Sequence, residues 1–239
     1  MPKAPAVIGD LVESVRGRTV HLLDAREPAP GFLELELQGA APPGGWVPGH
    51  EIQVRVARSM ARRYTVRTVS GPASENIGIL AATASRGPGT AWARRLRTAC
   101  DDDARRTTVL AGRHRALREH GNRRLYLGDA CALGTLDAYA RDGDAPIVAV
   151  EVPADAVAPL AERWPRYHFV PEAGAPGDAL QAWLERAVED GALREIDGAL
   201  LLGHAQSIQR QRRALVNGRC LPRRAITTRP YWATGRQGL

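Results

Sequence analysis

What most constrains this chain is a change of rhythm near its middle. Up to residue 111, short runs alternate apolar and polar residues; beyond about residue 122, unbroken apolar runs alternate with helical stripes. In the first stretch Leu33, Leu35 and Leu37 share one side of a strand and Glu34 and Glu36 the other. Residues 51–56 repeat the pattern, with Ile52, Val54 and Val56 inward, and residues 63–69, 77–84 and 107–111 read as further strands. Pro42-Pro43-Gly44-Gly45, Pro48-Gly49 and Gly71-Pro72 punctuate them. A helix is predicted over 90–99, with Trp92, Leu96 and Ala99 on one face, followed by the polar turn Asp101–Asp103. Short strands at this spacing predict an antiparallel barrel or sandwich. In the second stretch, strand-like runs at 124–127, 146–152, 166–170, 199–202 and 225–228 alternate with helical stripes. Val157, Leu160, Ala161 and Trp164 form one stripe; Leu180, Trp183, Leu184, Ala187 and Val188 form another. That alternation predicts a parallel sheet covered on both faces. The linker falls near 112–122, which divides the chain into 1–118 and 119–239.

Composition removes several function classes. Of 239 residues, 44% are hydrophobic and 25% charged, the balance of a folded globular chain. No apolar run reaches the ~18 residues of a membrane span, and the first residues lack a signal-peptide pattern. The expected setting is the cytoplasm, with no membrane partner. Cys100, Cys131 and Cys220 are isolated and odd in number, against a disulfide framework or a cysteine-held metal, so no metal site is expected. Lys3 is the only lysine, which excludes a catalytic lysine in the body of the chain. The net charge of +7 is therefore carried by arginine, whose fork suits phosphate and carboxylate; a genome biased towards arginine codons accounts for it equally. No basic tail or aromatic stacking platform stands out, so nucleic acid is not an expected partner, although an Arg-rich binding module remains a rival reading.

Two segments carry candidate chemistry. On one strand Arg63, Thr65 and Arg67 would share a face, with Tyr64 on the other, offering guanidinium forks beside a hydroxyl and a flat ring. The same run also reads as an edge strand with solvated arginines. In Gly87-Pro88-Gly89-Thr90-Ala91-Trp92, a glycine-rich turn opens a helix whose N–H groups and dipole favour an anion, with Thr90 as the expected N-cap. An ordinary capped helix fits those residues as well. Among the histidines His50, beside the Trp46–Gly49 turn, is the best functional candidate. No residue is singled out as catalytic.

These segments occur in the order of one family. The chain resembles the siderophore-interacting proteins, a flavin-dependent branch related to ferredoxin–NADP reductases. The resemblance rests on Trp46-Val-Pro48-Gly49-His50, on Arg63-Tyr64-Thr65-Val66-Arg67 and on Gly87-Pro88 through Trp92-Ala93. It continues in Gly128-Asp129-Ala130-Cys131-Ala132-Leu133, Val150-Glu151-Val152, the Arg210–Arg213 segment and Tyr231-Trp232-Ala233-Thr234-Gly235. It implies an antiparallel flavin-binding barrel followed by a parallel-sheet domain of the nicotinamide-binding kind. By the same resemblance, Arg63, Tyr64, Thr65 and Arg67 would hold the ring and ribityl parts of FAD. Gly87, Thr90, Ala91 and Trp92 would hold its diphosphate. Gly128 and Asp129 would meet NAD(P)H, and Arg210 and Arg213, with Arg212 between them, a 2′-phosphate; a solvated helix face is the alternative for these arginines. The implied activity is reduction of a ferric siderophore or similar chelate by NAD(P)H through FAD. Arg58, Arg62 and Arg86 would attract the anionic chelate. The second half departs from the family pattern at Cys131, Gly134, His204 and Pro230. A flavoprotein acting on an organic intermediate, with a degenerate nicotinamide site, is therefore the alternative.

Overall fold

The computed structural model describes residues 17–57, 60–111, 117–140 and 146–236; Arg58, His114 and most of the linker lie outside them. Residues 17–111, together with Asp137–Tyr139, form one compact unit, and residues 117–136 and 140–236 form the other.

The first unit contains β1 (Gly17–Ala29), β2 (Phe32–Gly39), β3 (Glu51–Ala57), β4 (Met60–Thr65), β5 (Thr68–Ser70), β6 (Asn76–Ala82), α1 (Pro88–Arg97) and β7 (Arg106–Ala111). All its strand pairings are antiparallel, in the order β4-β3-β7-β1-β2-β6-β5. The two edge strands, β4 and β5, are joined by Val66 and Arg67 alone. So short a link holds the edges together and forces the sheet to curl into a barrel. The alternating residues fill its inside: Leu33, Leu35, Leu37, Ile52, Val54, Ile77, Ile79 and Val109 are each at most 1% exposed. Burying each such side chain is worth roughly 1.5–3 kcal/mol.

Two features depart from the sequence reading. β1 has no clean alternation, because charged residues at Asp24, Arg26 and Glu27 sit where its pairing with β2 shifts register. The strand predicted over 63–69 is interrupted: Val66 and Arg67 leave the ladder, their N–H groups bonding to the His50 carbonyl (2.8 Å) and the Gly78 carbonyl (2.7 Å). Arg67 therefore does not extend the face of Arg63 and Thr65.

The second unit contains β8 (Arg124–Asp129), α2 (Leu133–Ala140), β9 (Ile147–Val152), α3 (Val157–Arg163), β10 (His168–Pro171), α4 (Asp178–Glu189), β11 (Gly198–His204), α5 (Ala205–Asn217) and β12 (Ile226–Trp232); Asp137–Tyr139 of α2 group with the barrel. The sheet is wholly parallel, in the order β10-β9-β8-β11-β12. Its strands are the expected apolar runs, and all of β11 is buried, as a central strand covered on both faces requires. α4 buries Leu180 and Leu184 of the predicted stripe. α3 buries Leu160 and ends before Trp164, which stacks on Tyr167 instead (ring centroids 6.5 Å).

Candidate functional site

In the barrel unit β4 and the start of α1 come together. Tyr64 lies against Trp92, ring centroids 5.2 Å apart. A Cβ placed on Gly89 would sit 3.1 Å from the Tyr64 hydroxyl, so glycine there permits the approach of strand and helix. The helix begins at Gly87 rather than at Thr90: Gly87 is the N-cap, Pro88 occupies the first turn, and Ala91 N–H bonds to the Gly87 carbonyl at 2.9 Å. Proline supplies a preset φ, which displaces the cap three residues upstream of the expected threonine. No side chain caps this terminus and no acidic residue stands in its first turn. The leading N–H groups of a helix have no intrahelical acceptor, so the turn offers donors and a positive dipole end to an anion.

The other predicted flavin residues separate into two groups. Arg63 is exposed on β4, and alternation puts it with Thr65 on the opposite face from Tyr64. Thr90 is half-buried within the helix and Ala91 is exposed. Trp92 is 1% exposed and its indole N–H donates to Thr107 Oγ1 (3.3 Å), so its side chain belongs to the core and only its backbone faces the turn. Arg67 is corrected most strongly. Its guanidinium is buried between the carboxylates of Glu34 and Asp137, the latter at 3.1 Å, which turns it into a structural cation. His50 accepts from the Val47 N–H at 3.2 Å and fixes its own turn.

FAD can be tested against these residues. A flat tricycle needs an aromatic or apolar wall, and a diphosphate needs donors without an internal counter-anion. Half-buried Tyr64, packed close to Gly89, and the uncapped start of α1 meet both needs. The residues present fit the group.

In the α/β unit the order of strands reverses between β8 and β11, the place where open parallel sheets take ligands outside their carboxyl ends. Gly128 is there for packing: a Cβ would lie 2.7 Å from Ala132 Cβ and 3.2 Å from the Leu202 carbonyl. Asp129 caps the short turn that follows, its carboxylate accepting from Cys131 N–H (3.0 Å) and from the Trp232 indole (2.7 Å), with the backbone N–H groups of Ala132 and His204 also favouring its charge. Gly203, at φ +106°, leaves room for that carboxylate, which a Cβ would meet at 2.5 Å. Burial pushes the Asp129 carboxyl up to about 6, against the opposing pull of these donors. Glu151, opposite Asp129 on β9, is also buried; burial pushes it up to about 7, with Glu172 adding to the effect, and its Oε1 has no hydrogen-bond partner among the described residues. Cys131 keeps solvent exposure, yet crowding by protein and then the carboxylates of Asp129 and Glu172 push its thiol well up, so it is not a reactive thiolate.

Sequence reasoning did not assemble the rest of this end of the sheet. His204 stacks on Trp232 (4.3 Å between centroids). Ser207 has one proton, given to the Pro176 carbonyl at 2.7 Å, so its Oγ receives the His204 Nδ1–H at 2.7 Å. His204 Nε2 then accepts from Thr234 Oγ1 at 3.0 Å. The ring is neutral, and burial lowers its pKa. The signal for these residues was present: each ends or follows an apolar run, and parallel strands collect their last residues at one edge.

Arg210 does not stand free for a phosphate. Its guanidinium bonds to Asp178 Oδ1 (2.6 Å) and to the Pro176 carbonyl (2.9 Å), tying α5 to the loop before α4. Arg213 is exposed, its Nε returned to the Gln209 carbonyl at 3.3 Å. Among the described residues no helix is long and apolar enough to cross a membrane.

No protein-family model and no curated protein matches the chain. Solved structures do. The siderophore-interacting protein SipS from Aeromonas hydrophila superposes with a TM-score of 0.69 at 16% identity, over 93% of each chain. A siderophore utilization protein from T. fusca gives 0.66 at 19% identity, over 94% of this chain and 95% of its own. The ferredoxin reductase in carbazole 1,9a-dioxygenase, in its FAD apo form, gives 0.62 at 18% identity, over 90% of this chain and 67% of its own. A curled antiparallel sheet followed by a five-stranded parallel sheet is thus the fold this chain shares with siderophore-interacting proteins and ferredoxin reductases.

Proposed function

We propose that the chain is an FAD-dependent oxidoreductase that reduces a ferric siderophore or a chemically similar ferric chelate. The observation that carries this reading is the meeting of Tyr64 with the uncapped start of α1 across Gly89. The likeness in fold to siderophore-interacting proteins and ferredoxin reductases supports it.

Each residue has a separate task. Tyr64, backed by Trp92, walls the flat ring; Thr65 and Arg63, on the other face of β4, stay outside that wall. The N–H groups that open α1 hold the diphosphate, with the carbonyl of Gly87 closing the first helical bond. Arg62, whose Cγ would lie 3.4 Å from a Cβ on Gly89, adds positive charge beside the same turn. FAD, when bound, supplies the ability to pass electrons singly to ferric iron, which then leaves an oxygen-rich chelator more readily. The excess of arginine favours the approach of an anionic chelate.

The test separates flavin from donor. Protein loaded with FAD is photoreduced without oxygen and mixed with a ferric hydroxamate or catecholate chelate. Return of the oxidised flavin spectrum together with ferrous iron, trapped by a colour-forming chelator, is the expected result. Flavin uptake with no ferrous iron would refute the chelate-reductase reading; absence of uptake would refute the flavoprotein.

A further inference from the structure

The two turns that could receive a diphosphate differ in one respect. The start of α1 has neither a side-chain cap nor an acidic residue in its first turn. The turn after β8 is filled by a carboxylate of the protein itself. Asp129 takes the Cys131 N–H (3.0 Å) and the Trp232 indole (2.7 Å), and the backbone N–H groups of Ala132 and His204 also pull on its carboxylate. Those backbone donors, at the topological switch point, are the ones a dinucleotide pyrophosphate would need in a parallel α/β sheet.

The surroundings reinforce the block. Glu151, paired with Asp129 across β8 and β9, and Glu172 after β10 place further carboxyl groups around this end of the sheet. His204 from β11 is neutral and already bonded at both ring nitrogens. The nearby cation, Arg210, is neutralised by Asp178. Gly203 is shaped to accommodate Asp129, not to admit a ligand. The residues present therefore do not fit a pyrophosphate in this turn.

We infer that Asp129 is a built-in counter-anion that keeps the pyrophosphate of NADH or NADPH out of the turn after β8. It determines donor specificity by holding the nest closed. Any nicotinamide donor is consequently bound without the anchor that a glycine-rich turn supplies. This deepens the flavin-reductase reading, whose electron donor it concerns, but it stands on the α/β unit's own residues.

The full chain is titrated calorimetrically with inorganic pyrophosphate, NADH and NADPH at neutral pH, as wild type, Asp129→Asn and Asp129→Gly. Flavin uptake is recorded on the same samples. The expected result is millimolar or weaker binding by the wild type and tightening by at least ~10-fold in Asp129→Gly, since a repelling charge is removed and donors are freed. Asp129→Asn, which keeps an acceptor for Trp232, gives a smaller gain. A merely structural role for Asp129 would yield no gain in anion affinity. Micromolar binding by the wild type, competed by pyrophosphate, would overturn the inference even if neither variant folds; so would variants that fold and bind no tighter. Loss of flavin uptake alone would count against the flavoprotein reading and leave this one intact.

Discussion

Replacing Arg67 by methionine separates a structural from a cofactor-binding role. The Arg67 side chain is 4% exposed, that of Asp137 5% and that of Glu34 17%. Methionine fills much of the aliphatic stem but leaves two carboxylates facing one another in the interior of the barrel unit. Breaking such a buried cluster by removing one partner costs about 3–5 kcal/mol. For a chain of this length each kcal/mol moves the midpoint by about 2–4 °C, so flavin-free Arg67→Met should melt about 6–20 °C below wild type. Replacing the whole cluster, Glu34→Leu with Arg67→Met and Asp137→Leu, should recover most of the loss, because no charge is then stranded. Thermal melts by circular dichroism on flavin-free protein, beside FAD titrations, measure both effects. An Arg67→Met protein that melts with wild type but no longer takes up FAD would refute the reasoning and return Arg67 to the cofactor.

Gly89→Val pushes a branched side chain onto the Tyr64 hydroxyl and should weaken FAD binding by at least ~10-fold at little cost in stability, since glycine and valine are both poor helix formers; a flavin-quenching titration checks it. Ser207→Ala strands the His204 Nδ1–H, while the Pro176 carbonyl keeps Arg210 as a donor, and should lower stability by about 1–3 kcal/mol, read by urea unfolding. Asp129 and Glu151 carry carboxyls raised in the fold to about 6 and about 7 from 3.8 and 4.5. The folded state keeps protons that the unfolded chain has released, so the stability they contribute is full below about pH 4 and is withdrawn as pH rises through 6 and 7. Asp129→Asn should therefore gain on wild type by up to roughly 3 kcal/mol between the two limits; unfolding profiles that stay parallel would contradict the burial of that charge.

Much of the fold could be read from period alone. Leu33, Leu35 and Leu37 alternate because one face of β2 is core, and β8, β9 and β11 carry unbroken runs, Leu125–Leu127, Ile147–Val150 and Ala199–Leu202, because both faces are covered. β1 was illegible for the opposite reason: its register shifts and its charges break the alternation. The break at Val66 and Arg67 was equally hidden. A valine and an arginine continue the strand pattern, and only the partners Glu34 and Asp137, distant in sequence, pull Arg67 inward. The glycine-rich turn at Gly87–Gly89 was read as opening a helix, which it does, but the cap was misplaced because proline at the first position outranks a threonine two residues later. Asp129, His204, Ser207, Trp232 and Thr234 span more than a hundred residues of chain; only strand order makes them one cluster.

The most direct measurement is equilibrium uptake of FAD by the purified full chain, followed by gel filtration and a visible spectrum. The account predicts flavin bands that travel with the protein at one FAD per chain and that diminish in Tyr64→Ala. A chain that emerges colourless after incubation with excess FAD would contradict it.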